Sequence, residues 1–453
     1  MNRKATATFL LCSVLTTALA RGVPGATSVT ARAATVTVDY GDTTGTGHPE
    51  VFGGNRFQTD SAKAQQLADV GVTFERNIVE ITSIVPTTTI ADYNANVGNV
   101  QDPSGWNWSG FDIAQIRPAR NLGIRACLSI NFNVPWNSYA GTKQGVPIDW
   151  EVYEDIVKKV YQHVLPDQVE LWNEPDFSLD LTGSPYGTPQ DAYAAIYYHA
   201  AHAIRSVDAN VPIGGPVTCC SSPADWIPSF LTNPAIPANY INFVSYHNYS
   251  TQEVEDRRVF ELAQQSRPGI PVHMTEWNAD ADCSGNPLNA NDPATVSFVG
   301  MRLSNAINMG IAQADFWALN NDTFCSFFTR GAEEPLLPKA RTWLLMSKRL
   351  GLGAGPFILK HTVRNGVTAS IGAINSSGQS VAAVVNNSGS SEKVVVHLNR
   401  LPVSGRITLD IYTASFTSDP SSPSRTRRRN ARNNALSERI SMPPYSVAGL
   451  VIR

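Results

Sequence analysis

With 453 residues, 42% of them hydrophobic and 16% charged, the chain has the composition of an ordinary soluble globular protein and is too long for one compact core. A large domain with a smaller one is therefore expected. The formal net charge of −3 gives no general attraction to nucleic acid, no CxxC or His-rich spacing points to a metal, and no motif implies a cofactor.

The N-terminus reads as a secretory signal. Arg3 and Lys4 precede an apolar run from Phe9 to Ala20 that is too short to span a bilayer, and small residues follow as far as Ala33-Ala34. Cleavage is expected after Ala20 or near Ala34, the latter preferred because Thr35 opens the strand-like TVTVDY. Arg3, Lys4, Arg21 and Arg32 would leave with residues 1–34, so the mature chain is a mildly acidic secreted protein with no membrane association. Cys127, Cys219, Cys220, Cys283 and Cys325 then remain, an odd number that leaves one thiol unpaired in an oxidising compartment. Cys127, in an apolar strand, is the candidate for that thiol. Cys283 with Cys325 is a plausible disulfide between two loops, while Cys219-Cys220 is either a vicinal pair or two partners of other cysteines. Asn-x-Ser/Thr sequons begin at Asn107, Asn248, Asn321, Asn375 and Asn386.

From there strand and helix signals alternate, the pattern of a parallel α/β fold. VFGGNRF (51–57), VTFERN (72–77), IRACLSINF (124–132), VELWNEP (169–175), VPIGGP (211–216), INFVSYHNY (241–249), PVHMTEWN (271–278) and QADFWALN (313–320) read as eight strands. Helical patterns fall over 61–69, 113–122, 150–164, 189–207, 253–266 and 339–350, and a long Thr- and Asn-rich insertion runs to about Pro103. The strand count favours a closed (β/α)₈ TIM barrel over 35–354 rather than an open sheet. From Gly355 the period-two segments GVTASIGAI, SVAAVVNN, KVVVHL, RITLDIY and SVAGLVI indicate an antiparallel β-sandwich over 355–453, to which residues 35–40 are candidates to add a strand. A basic stretch, Arg425 to Arg432, reads as a mobile solvated loop, with a grip on acidic polysaccharide as the functional alternative.

Glu174 ends the fourth strand, stopped by Pro175, and Glu276 ends the seventh; a barrel carries its chemistry on the face where strands end. Strands four and seven lie on opposite sides of the ring, so the two side chains converge over its centre. Two such carboxylates can divide the cleavage of a glycosidic bond, one protonating the leaving oxygen and the other attacking the anomeric carbon. Retention requires a separation of about 5–5.5 Å and inversion about 6.5–9.5 Å, which spacing in the chain does not decide. A lone Glu at a strand end is otherwise a helix cap or ion-pair partner.

Arg76 and Tyr249, on neighbouring strand ends, are candidates to stabilise Glu276 as an ionised nucleophile, and the negative Glu276 is expected to raise the pKa of Glu174 and keep it an acid. Asn173 is placed to hold a sugar hydroxyl. His247 and Tyr249 alternate on strand six and would share a face, unless His247 is simply buried against backbone. Trp317 is either the floor of a sugar site or barrel core; Trp106 and Trp108 either line outer subsites or pack the long insertion.

WNEP, TEWN, the His-x-Tyr of strand six and the Trp of strand eight, in this order, resemble the retaining (β/α)₈ glycosidases of clan A. WNWSGFD leading to NLGIR, then ELWNEPD, NFVSYHNY, VHMTEWN and a terminal MPPYSV resemble glycoside hydrolase family 39, which contains β-xylosidases and α-L-iduronidases, over essentially Thr35 to Arg453. The resemblance implies Glu174 as acid/base, Glu276 as nucleophile, a carbohydrate substrate and a secreted retaining β-xylosidase. Other clan A specificities (β-glucosidase, α-L-arabinofuranosidase, endoglycanase) and an inactive carbohydrate-binding barrel are the alternatives. Ser129 stands where family β-xylosidases usually carry a Glu, and ALNNDTFCSFF lacks the acids expected after the strand-eight Trp, which weakens the β-xylosidase reading more than the glycosidase one. No Lys or Arg cluster at the strand ends supports a uronic acid substrate; Arg330 and Lys339 are candidates to approach the mouth but do not make such a cluster.

Overall fold

The structure is a computed structural model that describes residues 33–56, 61–86, 88–95, 102–108, 113–220, 223–279, 292–320, 327 and 337–453. Eight parallel strands close a barrel in chain order: β2 (Gly53–Arg56), β3 (Phe74–Glu80), β4 (Arg125–Asn131), β5 (Gln168–Leu171), β6 (Ile213–Thr218), β7 (Phe243–Tyr249), β8 (Val272–Asn278) and β9 (Gln313–Asn320). Every expected strand is present. The first needs glycine: a Cβ on Gly53 would lie 2.1 Å from Asp315 Oδ1 and one on Gly54 2.5 Å from Leu319 Cγ, so only bare backbone fits between β3 and β9.

Helices cover the outside, each where apolar residues recur at helical spacing. Asp149 caps Trp150–Val164 by accepting from Val152 N at 3.1 Å. Thr188 does the same for Pro189–Arg205, with Pro189 in the first turn, where its missing donor costs nothing. Pro223–Thr232 and Ala294–Met309 are further helices that the sequence reading did not anticipate. The closing segment is a short α-turn, Ala340–Trp343, that continues as a π-helix over Leu344–Arg349.

The remaining strands form one nine-stranded sheet: β1 (Ala34–Gly47), β10 (Phe357–Asn365), β11 (Ala369–Ile374), β12 (Ser380–Asn386), β13 (Glu392–Asn399), β14 (Gly405–Ala414), β15 (Arg425–Ala431), β16 (Leu436–Met442) and β17 (Ser446–Ile452), in the order β15-β14-β17-β12-β11-β10-β1-β13-β16. It is antiparallel except where β1 lies parallel to β13, so the N-terminal segment does pair with the C-terminal strands. The two edge strands, β15 and β16, are consecutive and joined through an Arg432–Ala435 bridge, so the sheet curls on itself around its own core of Val36, Val38, Val396, Leu409 and Leu450. The basic stretch is therefore an edge strand and not a loop. Arg427 and Arg429 both bond the buried Glu438 of β16, a neutralisation that charge counting along the chain does not reveal.

Barrel and sheet share a second core that includes Val299, Val385, Trp343 and Val447. The helix Ala294–Met309 lies almost flush on β17, since a Cβ at Gly300 would fall 2.5 Å from Val447 Cγ2. Among the cysteines, Cys127 is a buried free thiol and the Cys219 and Cys220 sulfurs lie at bonding distance, while Cys283 and Cys325 fall outside the described residues, as do Arg330 and residues 1–32. Asn248, Asn375 and Asn386 are buried, which removes them as glycan acceptors in the folded chain. No described helix is long and apolar enough to cross a membrane. Gly300→Val is expected to overpack the barrel–sheet contact and lower the unfolding free energy by about 1–3 kcal/mol, read as a lower urea midpoint at unchanged slope.

Candidate active site

Arg76 is wholly buried inside β3, which runs four residues past it to Glu80 instead of ending there as expected. A guanidinium carries five N–H groups, and all of them are used. Nε donates to Glu170; one terminal nitrogen donates to Asn55 Oδ1 at 3.1 Å and Glu276 Oε1 at 2.6 Å; the other donates to Ser129 Oγ at 3.1 Å and Asn173 Oδ1 at 2.9 Å. Burial works against the charge, but the carboxylates of Glu170 and Glu276 outweigh it and hold the Arg76 pKa above the ordinary range. Glu170 is anchored on its other oxygen by Thr275 Oγ1 at 2.8 Å, and Asn55 is fixed by donating to Thr275 O at 2.9 Å.

Glu276 sits on β8 opposite His247 of β7, just past an irregularity in the β7–β8 register that follows Tyr246. Its second oxygen accepts from Tyr249 Oη at 2.5 Å and lies 3.4 Å from His247 Nδ1. Burial, then the Glu276 charge, push the Tyr249 phenol far above its ordinary range, so Tyr249 keeps its proton and remains a donor. Glu276 is thus a carboxylate with a cationic donor on one oxygen and a phenol on the other.

Glu174 comes to the same place by a different route. β5 ends at Leu171, after which Trp172 (φ 72°) and Glu174 (φ 51°) both take the left-handed conformation, uncommon for residues with a Cβ. Glu174 N is held by Val217 O at 3.1 Å, and its carbonyl accepts from Phe177 N and Ser178 N, where Pro175–Ser178 turns as a short helix. Such backbone concentrates at functional sites. Asp176 fastens this turn to the end of β6 by accepting from Cys219 N at 3.2 Å and Cys220 N at 2.8 Å. Glu174 Oε1 lies 2.7 Å from His247 Nδ1, and oxygens of Glu174 and Glu276 and a His247 nitrogen all fall within 4.8 Å of one another.

The expected raised pKa of Glu174 is not found. Burial does push it up, but the hydrogen bond from His247, the His247 charge and Arg76 outweigh burial and hold it below the ordinary value. Repulsion from Glu276 alone would raise it; the donor standing between the two carboxylates reverses the sign. His247 is accordingly buried against carboxylates, not against backbone.

The structure therefore brings together Arg76, Asn173, Glu174, His247, Tyr249 and Glu276. Asn173 points its oxygen at Arg76, which leaves its amide nitrogen for a ligand. Trp317, half-buried, meets Tyr249 edge to face at 6.4 Å, and its carbonyl accepts from Asn278 Nδ2 at 2.6 Å. Trp106 and Trp108 do not join the site. They stack on each other, and Trp108 lies flat on His163 at 3.7 Å, at the end of the helix that leads into the start of β5. Lys339 is buried over the Phe316 ring, its pKa pushed down to about 7 by burial. Glu170, Asn55, Thr275 and Asp176 were missed; Glu170 alone carried a signal, a charge inside an otherwise apolar strand two and four residues before Trp172 and Glu174. Glu174, His247 and Glu276 are also the described residues that could in geometry hold a cation, but Arg76 at 2.6 Å from Glu276 already supplies the positive charge there.

Residues 155–326, which include both glutamates, match the model of glycosyl hydrolases family 39. A protein named beta-xylosidase from Caldicellulosiruptor saccharolyticus is 24% identical over 237 residues, 44% of this chain and 46% of that one. A beta-xylosidase from Geobacillus stearothermophilus is 27% identical over 176 residues, 32% and 33% of the two chains. The chain resembles glycoside hydrolase family 39. The matched segments span less than half the length of these curated relatives. The GH39 enzyme of Xanthomonas axonopodis pv. citri shares the fold, with a TM-score of 0.65 at 14% identity over 95% of this chain and 99% of that one. Barrel and separate sheet are thus the fold of known family 39 and clan A proteins, with Arg76 and the nine-stranded sheet lying outside the segment that the family 39 model covers.

The Glu174–His247 contact predicts a pH effect with a definite sign. In the kcat/KM profile the basic limb reports loss of the acid's proton from the free protein. Because His247 lowers the Glu174 pKa, His247→Gln is expected to move that limb to higher pH; a limb that stays in place or moves down would show that His247 does not set the ionisation of Glu174.

Proposed function

We propose that the chain is a secreted retaining glycoside hydrolase acting on oligosaccharides or polysaccharides, with β-xylosides as its first-choice substrates. The observation that carries the reading is the approach of Glu174 and Glu276 oxygens to within 4.8 Å, on the short side of the roughly 5–5.5 Å typical of double displacement and well below the spacing that admits a water between them. The Glu276 carboxylate, held by Arg76 and Tyr249, attacks the anomeric carbon as the glycosidic C–O bond breaks, and Glu174 gives its proton to the departing oxygen. The sugar is then an ester of Glu276. Glu174, now ionised, takes a proton from water, whose oxygen attacks the same carbon and frees Glu276.

Esterification removes the Glu276 charge while His247 and Arg76 still favour the ionised Glu174, so the base form is stabilised when the second step needs it. In the first step Glu174 must carry its proton against those same donors, which argues for activity on the acidic side of neutrality. The xyloside preference is supported by the named relatives. Ser129 hydrogen-bonds Arg76 instead of offering a carboxylate to the sugar, so grip on the terminal residue must come from other groups, Asn173 and Trp317 among them. Export is supported by the leader-like character of residues 1–34.

Hydrolysis of aryl β-xylosides by purified protein tests the reading. Glu276→Ala is expected to abolish turnover. Glu174→Gln is expected to cost about 10²–10⁴-fold with a poor leaving group and far less with an activated nitrophenolate, which leaves without a proton. Equal losses on both substrates would count against Glu174 as the acid, and sugar binding without turnover of any aryl glycoside would favour a carbohydrate-binding role.

A further inference from the structure

The curled edge of the nine-stranded sheet carries a charge arrangement that hydrolysis at the barrel mouth does not use. Strand pairing divides the arginines of β15 between two faces. Arg427 and Arg429 lie opposite Leu409 and Ile407, on the side of the sheet that faces its core, and both bond Glu438. Arg428 lies opposite Thr408 and Asn430 opposite Arg406, on the outer side, and Arg406 and Arg428 are exposed. Arg439 of β16 is exposed as well, and the Arg429–Glu438 bond at 3.0 Å brings β16 close to β15 at that level.

Arg406, Arg428, Arg432 and Arg439 therefore share one outer face spanning β14, β15 and β16, with no ion-pair partner among the described residues. Alternate residues on a strand are about 7 Å apart and paired strands about 4.8 Å, so Arg406, opposite Asn430, lies within about a screening length of both Arg428 and Arg432. Of the carboxylates of these strands, Asp410 shares this side by alternation, where Arg453 neutralises it. Glu438 is on the inner face, and Asp410 is buried against Thr426 and Arg453. Like charges gathered on one face repel one another, a cost that a bound polyanion would remove.

Between the start of β15 and the end of β16 is a cleft of about 500 Å³ whose lining includes Ile411, Asp419, Ser422, Ser424, Arg425 and Ser441. The patch and the cleft thus combine guanidinium forks, which match carboxylate or sulfate oxygens in pairs, with hydroxyl groups suited to sugar hydroxyls. The aromatic residue of β14 on this side, Tyr412, is buried in the core shared with the barrel, so it is not offered to a nucleobase, and no exposed apolar residue of these three strands stands there to enter a lipid surface.

We propose that this face is an accessory binding site for an acidic polysaccharide, a polyuronate or sulfated glycan, separate from the carboxylates in the barrel. It holds a charged region of the substrate polymer, or of the matrix around it, to the sheet. The inference stands on the pairing register and charge distribution, and does not depend on what the barrel hydrolyses.

Affinity electrophoresis of the full chain through gels containing polygalacturonate tests it, with neutral xylan gels, single-stranded oligonucleotide and anionic phosphatidylserine vesicles as separate arms. Retardation by polygalacturonate that declines with added NaCl, and none by neutral xylan, is expected. The R406S/R428S/R432S/R439S variant should weaken polygalacturonate binding at least about tenfold, with aryl-glycoside turnover and melting temperature unchanged. The R406S/R428S pair, two changes on solvent-facing positions of adjacent strands, should give an intermediate loss and serves as the reading if the fourfold variant does not fold. Absence of retardation at low salt, equal retardation of wild type and variants, or tighter binding to oligonucleotide or vesicles than to polygalacturonate would overturn the assignment.

Discussion

A single buried guanidinium sets most of what surrounds it. Removing an arginine from water is costly unless its charge is matched and every N–H has an acceptor, and Arg76 meets both demands with Glu170 and Glu276 as counter-charges and Asn55, Ser129 and Asn173 as neutral partners. These acceptors come from five different strands or strand ends, β2, β4, β5, β8 and the turn after β5, so the same side chain that holds Glu276 also fixes the relative heights of those strands. Glu276 keeps its aim for the same reason, and Tyr249, kept protonated by burial and by the Glu276 charge, completes its surroundings.

Glu174 is governed by different constraints. It stands outside the ladder on left-handed backbone, supported from beneath by Val217 O and by the turn that Asp176 ties to the end of β6. That departure from the strand lets a residue from β5 reach over the barrel axis to within hydrogen-bonding distance of His247. The two carboxylates then differ in surroundings. Glu276 is fixed by an arginine and a tyrosine and is almost wholly buried, whereas Glu174 leans on His247 and retains about a fifth of its side-chain surface, 22%, toward the mouth. A nucleophile held in place beside an acid open to solvent and leaving group is the asymmetry that double displacement uses.

Much of this was legible in the order of residues. The eight barrel strands could be read because each is a short apolar run between turn signals, and the glutamates because they close two of those runs. What could not be read arises from contacts between segments distant in the chain. The lowering of the Glu174 pKa depends on a histidine 73 positions away standing between the two carboxylates. Glu170 looked like one more residue of an apolar strand, although its ion pair with Arg76 explains why a charge is tolerated there. The Arg-rich stretch reads as solvated loop from composition, and only the pairing with β14 and the buried Glu438 make it a strand with a neutralised inner face. The helices Pro223–Thr232 and Ala294–Met309 escaped notice because an internal proline in the first and a diffuse apolar pattern in the second blur their helical period.

The account reduces to one chemical event, formation of a sugar ester on Glu276 while Glu174 stands across the ring from it. Incubation with a 2-deoxy-2-fluoro-xyloside bearing a good leaving group, followed by proteolysis and peptide mass spectrometry, observes that event directly. The account predicts a fluorosugar adduct on the peptide carrying Glu276, at the Glu276 side chain. An adduct on any other residue, or steady hydrolysis of natural xylosides with release of the inverted anomer, would contradict it.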